Sequence, residues 1–167
     1  MKTGSKPRDG RTNGNERAFG KEDPDVSLPT KRILSLDDCS EILRLMRVCW
    51  ENADYESWTT DDEAAAITLL CFSERIDLFT QDLERPGGIG GCQLLRLMKS
   101  HAKLSKIPVL IISGYPLDMA NQMMKRKGLD LDQTVAGYLA KPFTLDQLYA
   151  STAAILGGRK SFDIGVL

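Results

Sequence analysis

A small set of residues that could do chemistry together falls at the ends of short apolar runs. Asp37 and Asp38 follow "RILSL", Asp82 follows "IDLFTQ", Ser113 ends "IPVLIIS", and Lys141 follows "VAGYLA". If these runs are strands of one sheet, three carboxylates, a hydroxyl and an ammonium meet at one edge. Carboxylates about 4 Å apart repel by roughly 4 kcal/mol per pair at an effective dielectric near 20. One lysine cannot neutralise three of them. A divalent cation is the expected addition, and a small all-oxygen donor set suits Mg²⁺. A cation beside a carboxylate, a hydroxyl and a lysine is a clamp for an incoming phosphoryl group, whose oxygens need positive charge and donors. Asp82, alone at its strand end, is the candidate nucleophile for an acyl phosphate.

That chemistry requires the strand ends to lie side by side, and the pattern from Lys31 onward supplies this. Apolar runs at 32–36, 76–81, 107–113 and 135–140, with a weaker one at 55–60, read as strands. Between and after them, segments 40–53, 63–73, 91–102, 116–128 and 144–156 carry apolar residues at helical spacing. Ser40 and Asp61/Asp62 are the predicted helix caps, and Gly128 is a predicted helix stop. Five strands alternating with five helices predict an α/β fold: a doubly wound parallel sheet with helices on both faces. Such sheets take ligands at the carboxyl ends of their strands.

Composition narrows the function classes. A 42% hydrophobic and 27% charged content is that of an ordinary globular chain, and a net charge of −1 gives no electrostatic reason to expect nucleic acid. No apolar run reaches bilayer length, so the expectation is a soluble, cytoplasmic chain with no membrane partner. Cys39, Cys49, Cys71 and Cys92 form no C-x-x-C pair and His101 is the lone histidine, which argues against a zinc site and against Ser-His-Asp or Cys-His catalysis. Residues 1–30 are polar and rich in Gly, Lys, Arg and Asn, and predict a disordered tail. A single folded unit is expected over 31–157 and a short tail over 158–167, which leaves no room for a DNA-binding module within the sequence.

Taken together, Asp37-Asp38 after "ILSL", Asp82 followed by Pro86 and Gly90, Ser113 after "PVLII", and "GYLAKPF" (137–143) resemble the receiver domain of two-component response regulators. The resemblance covers residues 31–157; the motifs keep the family's order, and the spacings from Asp38 to Asp82 and from Asp82 to Ser113 match it, while the stretch from Ser113 to Lys141 is longer. It implies a CheY-like, flavodoxin-like fold with strand order 2-1-3-4-5. It further implies that Asp82 is the phosphoacceptor, Asp38 a direct Mg²⁺ ligand, Asp37 its acidic partner, and the Glu84 main-chain carbonyl a further ligand. Ser113 matches the hydroxyl that bonds the phosphoryl group, Lys141 the lysine that pairs with it, and Tyr138 the aromatic switch residue. The implied protein is a stand-alone response regulator. It takes its phosphoryl group from a histidine kinase or phosphotransfer protein, signals to a downstream protein, and catalyses only its own phosphorylation and dephosphorylation. The family also offers a homodimer face made of the fourth helix, fifth strand and fifth helix (α4-β5-α5 in the family's count).

Several features stand apart from that resemblance. Thr80 and Gln81 replace the usual apolar pair before the phosphoacceptor, "LDLDQT" (129–134) reads as an insertion, and Glu84 and Tyr115 sit at variable positions near the site. "GGIGG" (87–91) lacks the lysine and hydroxyl of a phosphate-binding loop. Taken singly, Asp37 and Asp38 could cap a helix, Lys141-Pro142 could be a plain loop, and Tyr138 an ordinary strand aromatic. A haloacid-type phosphatase would want a second aspartate where Glu84 stands. The alternative function is a pseudo-receiver, an interaction module indifferent to phosphorylation. A buried, hydrogen-bonded Gln81 is the expected sign that the polar pair serves the site from beneath.

Overall fold

The computed structural model describes residues 29–84 and 90–163. Expectations about residues 1–28, Pro86 and Gly87 to Ile89 lie outside these. In chain order the elements are β1 (Arg32–Leu36), α1 (Ser40–Asn52), β2 (Glu56–Thr60), α2 (Glu63–Phe72), β3 (Leu78–Gln81), α3 (Gly91–Ser100), a 3₁₀ turn (Leu104–Lys106) and β4 (Val109–Ser113). Then follow α4 (Leu117–Arg126), the short α5 (Leu131–Thr134), β5 (Gly137–Ala140), α6 (Leu145–Leu156) and β6 (Ser161–Asp163). The strands form one parallel sheet in the order β2-β1-β3-β4-β5-β6.

Strand alternation sends successive side chains to opposite faces, and both faces are covered. Ile33, Leu78, Leu110, Ile112 and Leu139 pack with Met46, Cys49 and Trp50 of α1 and with Leu148 and Ile155 of α6. Leu34, Leu36, Phe79, Ile111 and Tyr138 pack on the other face with residues of α2, α3 and α4. This two-sided burial explains why β1 and β4 read as largely apolar runs, and why the polar Thr80 and Gln81 of β3 stand out. Trp50 is fully buried yet keeps its indole N–H satisfied by Ser35 Oγ at 3.2 Å.

Local signals set the starts of three of the six described helices. Asp62 accepts hydrogen bonds from the N–H groups of Ala64 and Ala65 at the start of α2, as predicted for the Asp61/Asp62 pair. Thr144 and Gln147 form a reciprocal capping box at the start of α6. At α1 the cap differs from expectation. Ser40 is the first helical residue, Cys39 holds the N-cap position without a side-chain capping bond, and the Cys39 N–H is taken by Asp37 Oδ1 at 2.9 Å. The segment read as an insertion folds into α5, where Asp130 accepts from the Gln133 N–H and Leu131 and Thr134 turn inward.

The sheet has six strands among the described residues, one more than expected. Residues 161–163, read from sequence as tail, run parallel to β5 with Gly137 opposite Ser161 and Tyr138 opposite Phe162. Gly137 is what permits this. A Cβ there would stand 2.4 Å from the Ser161 carbonyl oxygen and 2.8 Å from Ile155 Cδ1. The Ser161 N–H donates to the Ala136 carbonyl at 3.0 Å, and its hydroxyl bonds that of Ser151 at 3.0 Å. β6 therefore covers the β5 edge that the expected α4-β5-α5 dimer face would present; the long helix of that face is α6 here.

Candidate functional site

The carboxyl ends of β1, β3, β4 and β5 adjoin, and each delivers one piece of the site. Register fixes their levels: Leu36 pairs with Gln81, Gln81 with Ile111, and Ser113 with Ala140. Each predicted site residue thus emerges at the same edge. The Asp82 N–H is tied to the Leu36 carbonyl at 3.2 Å, and the Lys141 N–H to the Ser113 carbonyl at 2.8 Å.

Asp37, Asp38 and Asp82 come together as predicted, with one carboxylate oxygen from each lying within 4.8 Å of the others. Asp37 is fully buried, Asp82 nearly so, and Asp38 is exposed at the mouth. Lys141 reaches across from β5, and its Nζ donates to Asp37 Oδ2 and to Asp82 Oδ2, both at 2.8 Å. Burial alone would push the Lys141 ammonium down, but its hydrogen bonds to Asp37 and then Asp82 outweigh this and hold it above the usual lysine range. The remaining Asp82 oxygen, Oδ1, accepts from the Glu84 N–H at 3.1 Å.

The donor set fits Mg²⁺. Three carboxylates against one ammonium leave two negative charges, the complement of a divalent cation. Octahedral bonds of about 2.1 Å put ligand oxygens roughly 3–4 Å apart, close to the spacing of this cluster. Asp38 has no hydrogen-bond partner among the described residues, so an oxygen at the open side is available. The Glu84 carbonyl, the further ligand that the resemblance implies, borders the segment 85–89, which lies outside the described residues.

Ser113 is fully buried at the end of β4, and its Oγ accepts from the Tyr115 N–H at 3.4 Å. Tyr138 is also fully buried, on the face covered by α4, with its hydroxyl donating to the Tyr115 carbonyl at 2.6 Å. The ring of this residue, which the resemblance implies is the aromatic switch, lies buried in the core. Desolvation pushes its phenol up to about 12, against a smaller opposing effect of Ser113.

Sequence reasoning gave Tyr115 only as a variable position. Its carbonyl receives Tyr138, and its own hydroxyl donates to Glu84 Oε1 across the mouth of the site. Nothing in a lone tyrosine after Ser-Gly announces this. The polar pair before Asp82 divides between the two faces of β3. Thr80 points toward α1, its hydroxyl 3.7 Å from Met46 Sδ, while Gln81 points toward α3 and donates from Nε2 to the Gly91 carbonyl at 3.1 Å. Gln81 is 1% exposed, so the expectation of a buried, hydrogen-bonded glutamine is met.

Comparison with known proteins agrees with this geometry. Residues 33–153 match the model of the response regulator receiver domain family. The alginate biosynthesis transcriptional regulatory protein AlgB of Pseudomonas putida is 34% identical over 129 residues, covering 77% of this chain and 27% of that protein. The chain thus spans about a quarter of the length of these AlgB relatives. The chemotaxis protein CheY of Pseudomonas aeruginosa is 25% identical, over 70% of this chain and 89% of its own. Among solved structures, the chemotaxis response regulator CheY4 of Vibrio cholerae superposes with a TM-score of 0.63 at 21% identity, over 74% of this chain and 97% of its own. The fold is that of CheY. With the family match spanning most of the described chain and the acidic cluster, hydroxyl and lysine at the matching strand ends, this chain belongs to the response regulator receiver domain family of two-component signalling.

Proposed function

We propose that Asp82 accepts a phosphoryl group from a histidine kinase or phosphotransfer protein, in the presence of Mg²⁺, and that the phosphorylated chain signals by presenting an altered surface to a downstream protein. One observation supports this above the rest. A single ammonium, Lys141 Nζ, bonds both the buried Asp37 and Asp82 at 2.8 Å within a cluster of three carboxylates. A cluster held together by one lysine alone is under-neutralised, and a cation and an anionic phosphoryl group relieve it together.

Asp37, Asp38 and Asp82 would hold the Mg²⁺, which when bound supplies the positive charge that lets a phosphoryl group approach three carboxylates. In the transfer, an Asp82 carboxylate oxygen attacks phosphorus. The new P–O bond forms as the P–N bond of the phosphohistidine breaks, and the departing imidazole nitrogen takes the electron pair. Lys141 stays paired with the negative charge at the strand ends, and the Ser113 hydroxyl and Glu84 N–H are the nearby donors for phosphoryl oxygens. Hydrolysis returns the carboxylate, so the chain acts on itself and turns over no separate substrate.

Incubation with acetyl phosphate and Mg²⁺, followed by intact mass, should show one added phosphoryl group on the wild type, none on Asp82→Asn, and none with EDTA. Failure of every donor tried, kinase included, to label the wild type would sink the proposal. A downstream partner that binds Asp82→Asn and the wild type equally under phosphorylating conditions would favour the pseudo-receiver instead.

A further inference from the structure

Gln81 is out of place energetically. It is 1% exposed, on the strand face shared with Phe79 and the α2–α4 core, and its Oε1 has no partner among the described residues. A buried acceptor left unpaired costs stability, and an apolar side chain of the same length would avoid that cost. The bond made by the other end of the carboxamide is therefore the part of this side chain that calls for an explanation. What it supplies is a tie: Nε2 donates at 3.1 Å to the carbonyl of Gly91, ten residues on and the first residue of α3. Since Gly91 offers an acceptor, the amide nitrogen must face it.

The tie sits directly beneath the nucleophile. A Cβ on Gly91 would stand 2.9 Å from the Asp82 carbonyl oxygen and 2.9 Å from Leu83 Cα, so the start of α3 lies against the Asp82–Leu83 backbone. That backbone is pinned on its other side by the Asp82 N–H bond to Leu36. The strand end bearing Asp82 is thus gripped between β1 and the first residue of α3, and Gln81 sets the distance between strand and helix. The Asp82 carboxylate that projects from this grip has one oxygen on the Glu84 N–H and the other on Lys141. Its spacing to Asp37 and Asp38 depends on where the grip holds it.

We propose that Gln81 is a positioning residue for the acidic site: its carboxamide clamps α3 onto the strand end that carries Asp82, and so fixes the Asp82 carboxylate against Asp37, Asp38 and Lys141. This rests on the reading above that the acidic cluster takes Mg²⁺ and Asp82 the phosphoryl group. Sites of this kind are intolerant of slack, since displacements of about 1 Å at a reacting group have large effects on rate.

The test compares the wild type with Gln81→Met, which keeps length and volume but removes both donor and acceptor, and with Gln81→Asn, which keeps the amide but falls short of Gly91. Thr80→Val is the control, because Thr80 is equally buried on the same strand and faces α1 instead. Mg²⁺ affinity of the unphosphorylated protein is measured by calorimetry, and the melting midpoint in EDTA is measured beside it. The expected result is Mg²⁺ binding weakened about fivefold in both Gln81 variants, the scale of one neutral hydrogen bond. Thr80→Val should bind as the wild type does. The melting midpoint of Gln81→Met should be no lower than that of the wild type, a combination that a merely structural role would not produce. Equal Mg²⁺ affinity in the wild type and both Gln81 variants would overturn the proposal, as would a wild type that binds no Mg²⁺. A wild type that binds Mg²⁺ yet takes no phosphoryl group defeats the phosphoacceptor reading alone and leaves the Gln81 comparison standing.

Discussion

Replacing Lys141 by methionine isolates the electrostatics of the site, because the alkyl stem stays and only the ammonium goes. In the wild type that ammonium lies 2.8 Å from oxygens of Asp37 and Asp82, with the Lys141 side chain 21% exposed and Asp37 fully enclosed. Without it, two buried carboxylates with oxygens within 4.8 Å of one another face each other uncompensated. Their mutual repulsion at that separation is about 3.5 kcal/mol at an effective dielectric near 20. Removing one partner of a buried ion pair costs roughly 3–5 kcal/mol, and the partial exposure of Lys141 places this case at the low end, about 3 kcal/mol. With a urea dependence of roughly 2 kcal/mol/M, the unfolding midpoint in EDTA should fall by about 1.5 M. Mg²⁺ should then restore most of the loss, since a ligand at a hundred times its Kd adds about 2.7 kcal/mol. Its affinity should also rise. The site goes from two net negative charges to three, and one more unit charge about 5 Å from a divalent ion, even at the dielectric of water, is worth about 1.7 kcal/mol or more than tenfold. Urea titrations read by tryptophan fluorescence in EDTA and in Mg²⁺ give both quantities. A Lys141→Met protein as stable as the wild type in EDTA, or an identical Mg²⁺ shift in the two proteins, would refute the charge-balance reasoning on which the site is built.

Two further predictions concern β5. Gly137→Ala puts a methyl group 2.4 Å from the Ser161 carbonyl oxygen, so β6 should leave the sheet while the strand-end site stays intact. Hydrogen exchange would show lost protection at the Ser161 amide, bonded to Ala136 in the wild type, with Mg²⁺ affinity unchanged. Alkaline pH should destabilise the fold, and the sign follows from both raised groups. A phenol held at about 12 in the folded state keeps its proton where an unfolded tyrosine, near 10, has lost it, so stability falls between about pH 10 and 12. The Lys141 ammonium, also raised, stabilises below the unfolded lysine value and is lost above it, in the same direction. Tyr138→Phe should remove about 2 kcal/mol of that loss, measured as the change in urea midpoint between pH 9 and pH 11.5.

What could be read from sequence was what local pattern determines. β1, β4 and the first half of β3 are buried on both faces, so they show as apolar runs, and the charged or hydroxyl residue at or just past each strand's end marks the sheet edge. Asp37, Asp82, Ser113 and Lys141 were legible for that reason. Asp62 and Gly128 were legible because caps and stops are written within one turn. β6 was not legible. "SFD" has no periodicity, and the strand exists because Gly137, on another strand, leaves room for its backbone. The α5 turn was missed in the same way, since "LDLDQT" reads as polar until Leu131 and Thr134 are seen to be enclosed. The Ser40 cap failed by one residue because the helix already begins at Ser40, with Cys39 in the N-cap position and its own N–H held by Asp37 Oδ1.

The polar pair before Asp82 shows why such misreadings gather at the site. In a strand covered on both faces, each residue answers to a different helix, so Thr80 and Gln81 are adjacent in sequence and unrelated in environment. Thr80 substitutes for an apolar residue at little cost, because its hydroxyl rests against a thioether and the rest of the side chain packs. Gln81 is not neutral in that way. Its carboxamide sits in an apolar layer with one bond made and one acceptor unpaired among the described residues, and the bond it makes goes to the helix that presses on Asp82. A local rule is broken where a tertiary demand outweighs it, and here the demand is geometric: three carboxylates that repel one another stay in place only if the backbone that carries them cannot yield.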